Sequence, residues 1–159
     1  MNPLREEAVW KRVMAAAEEA PDCCDGVPLR SLTDRRVLEL LEGELADACT
    51  YRVLAGRMKQ QARQCLLQLA AEEQRHYRKL EAVYYLMTGA RPCPDRPKAP
   101  CVACTNEELR QRYKLETEGA RTYGCLAEQA GPFAEVFHCL AHDEARHAAM
   151  ILRLLEQCL

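Results

Sequence analysis

The segment AEEQRHYRKL (71–80) holds Glu73 and His76, and HDEARHAAMI (142–151) holds Glu144 and His147. Each is a Glu-x-x-His. On a helix, residues three apart share a face at about 5–6 Å, so one carboxylate and one imidazole can approach a single cation. Both pairs lie on apolar stripes of heptad spacing. One stripe is Leu66, Leu69, Glu73, His76, Leu80, Val83 and Met87; the other is Phe137, Leu140, Glu144, His147, Ile151 and Leu154. A solvated ion pair would sit on the opposite face, and burying an uncompensated charge is costly. Either internal salt bridges or bound metal must compensate these groups.

Two further helical segments supply matching groups. Glu44 and Tyr51 stand seven residues apart on a stripe with Val37, Leu41, Ala48 and Ala55. Glu116 and Tyr123 repeat that spacing, beside Ala120 and Ala127. Glu44 and Glu116 are separated by 72 positions, as are Tyr51 and Tyr123; Glu73 to Glu144 and His76 to His147 are each 71. The chain therefore reads as a duplicated helical hairpin whose duplication includes the polar residues. Glu118 is the alternative carboxylate on the third helix, although two positions from Glu116 turn it ~200° around the axis.

The donor types narrow the chemistry. A set of Glu44, Glu73, His76, Glu116, Glu144 and His147 is rich in carboxylate, with one imidazole per ion. It suits iron or manganese better than the thiolate-rich structural zinc sites. Four carboxylates balance two divalent cations, which makes their burial tolerable. Tyr51 and Tyr123 are placed to donate hydrogen bonds to ligating carboxylates. His138 and His142 are spaced for chelation, but they fall off the apolar stripe and read as surface histidines.

The elements that must carry these residues are nearly all helical. Few glycines and prolines occur, in clusters, and Val and Ile are scarce. A short amphipathic helix near 3–20 leads into the turn-rich connector PDCCDGVP, so residues 1–30 stand apart from a bundle over 31–159. SLTD (31–34) resembles a capping box opening a helix over about 32–58. A second helix follows at about 62–88, with Gly56 the only breaker between the two and Gly89 a terminal cap. ARPCPDRPKAPCVAC (90–104) contains four prolines and must be a connecting loop. TNEE (105–108) opens a third helix to about 129, and Gly131-Pro132 starts a fourth that runs to about 157. Two hairpins joined by a longer connection give an all-α four-helix bundle with an extra N-terminal helix.

Composition excludes several function classes. Lys and Arg total 22 against 24 acidic residues, a net charge of −2, with no basic footprint for nucleic acid or anionic membrane. No apolar run reaches the roughly 20 residues of a membrane span. The N-terminus lacks the apolar stretch of a secretory signal, so the expectation is a cytoplasmic protein. Ten cysteines in such a setting read as reduced thiols rather than a disulfide framework. Cys101 and Cys104 form a Cys-x-x-Cys with Cys93 nearby; these three are the candidates for a second metal or redox site, against a solvated loop with incidental thiols.

Glu44 with Tyr51, Glu73 with His76, Glu116, and Glu144 with His147 together resemble the ferritin-like superfamily, within it the rubrerythrin branch. That family carries Glu and Tyr seven apart on the first helix, Glu-x-x-His on the second, Glu on the third and Glu-x-x-His on the fourth. The resemblance spans about residues 32–157. It implies a ferritin-like bundle with two iron ions, or manganese or a mixed pair in their place. It further implies an oxidoreductase that reduces hydrogen peroxide or dioxygen, acts in oxidative stress and forms a homodimer. The alternative is a ferritin-like protein that binds iron or manganese, or senses redox state, without turnover. Rubrerythrins add a rubredoxin-like domain that this sequence lacks, so its electrons are expected from an external donor. They also carry a second glutamate on the third helix, where this chain has Gly119.

Overall fold

The computed structural model describes residues 32–98 and 100–157. The expected N-terminal helix near 3–20, its connector with Cys23 and Cys24, and Ser31 and Cys158 lie outside the described residues. Four α-helices account for most of the rest: α1 (Asp34–Arg57), α2 (Gln60–Thr88), α3 (Thr105–Ala127) and α4 (Ala134–Gln157). A 3-10 turn at Gly131–Phe133 precedes α4. The described residues contain no strand, and the fold class is the all-α bundle expected of paired amphipathic helices. None of these helices is long and apolar enough to cross a membrane. The chain divides into two compact units, Leu32–Glu108 and the residues from Leu109 on.

In the first unit α1 packs along α2. Thr33 caps α1: its extended backbone ends the incoming chain, and its hydroxyl accepts from Arg36 N–H at 3.1 Å. The cap thus falls two residues after the expected Ser31, because Thr33 is the last hydroxyl residue before the first apolar position, Val37. Thr33→Ala removes the acceptor for an orphan helical N–H. Its expected cost is about 1 kcal/mol, read as a lower denaturant midpoint at unchanged slope.

The break between α1 and α2 has a different cause from the one expected. Gly56 is helical and has open space around it. The chain turns instead at Met58 and Lys59, both extended, followed by Gln60 at φ 44°. At the other end, Gly89 closes α2 in the left-handed conformation at φ 71°, donating its N–H to Tyr85 O at 2.8 Å. The proline-rich connector is non-helical as expected, and Asp95 N–H anchors it to the Glu42 carboxylate of α1 at 3.1 Å.

α3, most of which belongs to the second unit, begins at Thr105 itself, so the cap position belongs to Cys104, whose carbonyl accepts from Glu108 N–H. The helix ends at Ala127, two residues earlier than expected. Pro132 lies in the 3-10 turn rather than in the first turn of α4, with Gly131 at φ 53° supplying the reversal. Facing α3, α4 brings Phe137 to Tyr123, their rings 6.1 Å apart between centroids.

Both stripes are interior. All six positions read from α4 are buried, as are Val37, Leu41, Ala48 and Ala55 of α1. Met87, near the end of α2, and Ala120, within α3, are half-buried.

Candidate metal centre

The α1–α2 hairpin brings Glu44, Glu73 and His76 together by itself. Glu44 sits two turns before Tyr51 on the buried stripe of α1, and the i, i+3 spacing of α2 places Glu73 and His76 on one face. His76 Nδ1 is 3.3 Å from Glu44 Oε2 and 3.0 Å from Glu73 Oε2. Glu73 and His76 are each only 1 % exposed, and Glu44 5 %. Tyr51 is fully buried on the same helix face as Glu44.

The α3–α4 hairpin repeats the arrangement. His147 Nδ1 lies 3.3 Å from Glu116 Oε2 and 4.0 Å from Glu144 Oε2. His147 is fully buried, with Glu116, Glu144 and Tyr123 also in the interior. The duplication seen in the sequence is therefore carried into geometry: each hairpin holds two carboxylates and one imidazole, the imidazole Nδ1 within ion-pair reach of both carboxylates.

Each triad fits a divalent cation by the chemistry of its donors. Two carboxylates neutralise a charge of +2, a neutral imidazole adds a nitrogen donor, and all three are already out of water. Hard-to-borderline ions such as iron(II) and manganese(II) take this mixture of oxygen and nitrogen donors. Glu73 with His76, and Glu144 with His147, are Glu/His pairs that could hold a metal ion. The hairpins reach this composition without any cysteine.

Several residues fall elsewhere. Glu118 is exposed and pairs with Arg121 at 3.0 Å, so the third-helix carboxylate in the triad is Glu116 alone. The ~200° between the two positions is what separates them. His138 and His142 are exposed on α4. Cys93, Cys101 and Cys104 are exposed free thiols on the connector, and among the described residues they join no group that could hold a metal.

Two features escaped the sequence reading. Glu72, beside Glu73, is also buried (4 % exposed), and it is tied to its own helix by Arg75 at 3.2 Å and Gln68 at 3.0 Å. Gln68 and Arg75 at i−4 and i+3 were the available signal. Tyr77, beside His76, has its phenol pushed above the ordinary range by burial first, with Glu81 and Cys93 adding to the effect. That phenol stays protonated at neutral pH.

A protein-family model described as Rubrerythrin matches residues 107–158. The matched stretch takes in Glu116, Tyr123, Glu144 and His147, the second triad with its tyrosine. No curated protein and no solved structure gives a significant match. The chain is thus rubrerythrin-like across α3 and α4, and the first triad enters through the duplication.

Proposed function

We propose that this rubrerythrin-like chain binds one metal ion in each triad, iron foremost, and is a di-iron oxidoreductase. Hydrogen peroxide or dioxygen is the substrate, and electrons come from an external donor. The observation that carries the reading is the paired occurrence of a buried Glu/Glu/His triad, once in each hairpin, with the second inside the matched segment. Glu44, Glu73 and His76 would hold one ion; Glu116, Glu144 and His147 would hold the other. When bound, such a pair supplies one-electron redox chemistry and Lewis acidity toward a small oxidant.

The chain's own part is to bind, to orient and to exclude water. Leu66, Leu69, Leu80, Phe137, Leu140 and Ile151 are fully buried on the faces that carry the triads. They keep bulk water from the donors and lower the local dielectric, which strengthens each metal–carboxylate contact. Tyr51 and Tyr123, one on the same face as each helix-borne glutamate, would hold those carboxylates by hydrogen bonds and so fix which oxygen is presented. Manganese or a mixed pair would meet the same donors.

The test is consumption of peroxide by the iron-loaded, anaerobically reduced protein. Repeated turnover with added reductant is expected, with loss of turnover in His76→Ala/His147→Ala. Gly119, standing where a further carboxylate would enlarge the donor set, is the observation that favours the alternative of metal binding or redox sensing without turnover. Stoichiometric iron binding with no peroxide consumption above free iron would select that alternative.

A further inference from the structure

Four glycines stand inside helices among the described residues: Gly43, Gly56, Gly119 and Gly124. A side chain at Gly43, Gly56 or Gly124 would meet open space. Gly119 differs. A Cβ there would lie 3.3 Å from Glu144 Oε2, 3.5 Å from its Cγ and 3.6 Å from its Cδ. Its neighbour is the carboxylate of the second triad, approached along its whole length. The matching position of the first hairpin, 72 residues earlier, is Asp47, which has a Cβ. The two triads differ accordingly. Glu73 reaches to 3.0 Å from His76 Nδ1, whereas Glu144 stands 4.0 Å from His147 Nδ1.

We propose that Gly119 is a positioning residue for Glu144: the absent side chain lets the carboxylate lie back against α3, away from His147. The Glu116/Glu144/His147 triad therefore holds its ion less tightly than the Glu44/Glu73/His76 triad, and the two ions are inequivalent. This rests on the reading of the triads as metal-binding. The difference arises within the α3–α4 hairpin from backbone and carboxylate alone. A methyl at 119 would displace Oε2, the ligand atom itself, by a few tenths of an ångström.

Metal-free wild type, Gly119→Ala and Gly124→Ala are to be titrated anaerobically with Co(II), following the visible ligand-field absorption, with chelator competition for the affinities. Wild type is expected to take up two ions in two resolved steps. Gly119→Ala, whose methyl pushes Glu144 Oε2 off α3 and back toward His147, tightens the second step by about tenfold, the usual scale on which a ligand's support acts, and leaves the first unmoved. Gly124→Ala, in the same helix with open space around it, leaves both steps unmoved. The melting temperature of metal-free Gly119→Ala stays level or rises, since alanine is the better helix former; Gly124→Ala gains the same propensity, so an affinity change confined to Gly119→Ala is positioning rather than general stiffening. Two bound ions with identical curves for wild type and Gly119→Ala, or a weaker second step in the variant, would overturn the proposal while leaving the triads' metal binding intact. No Co(II) uptake by wild type would overturn both.

Discussion

Alanine at both Glu73 and Glu144 is expected to abolish transition-metal binding while leaving a folded helical protein. Each triad loses one of its two carboxylates, so a divalent ion would meet a net negative charge of only one together with a single imidazole. Binding that survives such a change must use other residues. The effect on stability has a definite sign. In metal-free wild type the buried carboxyl groups are held close to one imidazole per triad at 3.0–4.0 Å. Removing a carboxyl from water costs several kcal/mol that its partners recover only in good geometry. The metal-free double variant is therefore expected to melt no lower than metal-free wild type. Added metal separates them: a ligand at a thousandfold excess over its Kd stabilises a fold by about 4 kcal/mol. Wild type should gain that in a melting experiment with iron(II) or manganese(II), and the variant should gain nothing. An equal gain in both would place the metal outside the triads.

Phe137→Ala is expected to produce the largest loss of intrinsic stability. Phe137 is fully buried at the start of the α4 stripe and lies 6.1 Å from the Tyr123 ring, tilted by 35°. Truncation removes an aromatic side chain from a closely packed interior and leaves a void that neighbours fill only in part. Such substitutions cost about 3–5 kcal/mol, equivalent to a fall in Tm of roughly 10 °C for a chain of this size. Because Tyr123 shares its helix face with Glu116, the void also loosens the support of the second triad. Metal stoichiometry should persist at low temperature, and the melting transition should move down by that amount. A shift of only a degree or two would mean that the Phe137–Tyr123 contact does not belong to a cooperative core.

The features that were legible in the sequence are those set by period. The stripes of α2 and α4 follow from three-and-four spacing, so the burial of Leu66, Leu69, Leu140 and Ile151, and of the Glu-x-x-His pairs among them, could be read from the chain alone. Duplication did the same for Glu44 and Glu116. Local backbone geometry was less legible. The α1–α2 turn rests on Met58, Lys59 and a left-handed Gln60, residues with no turn propensity, while Gly56 stays helical. The chain reverses there because two long amphipathic helices must fold back on one another, and tertiary packing overrides propensity. Close approach was illegible too. A glycine at 119 says only that a side chain is missing, and its contact with Glu144 emerges once α3 and α4 are packed.

The central claim is that each hairpin's triad holds one metal ion. Its most direct test is elemental analysis of the full chain, prepared and purified without oxygen and freed of loosely bound metal. Two ions of iron or manganese per chain are predicted, falling to one in His147→Ala and to one in His76→Ala. A protein that carries no such metal, or whose metal content is untouched by either histidine substitution, would contradict the account, and the buried carboxylates and imidazoles would then be an ion-pair network of the core.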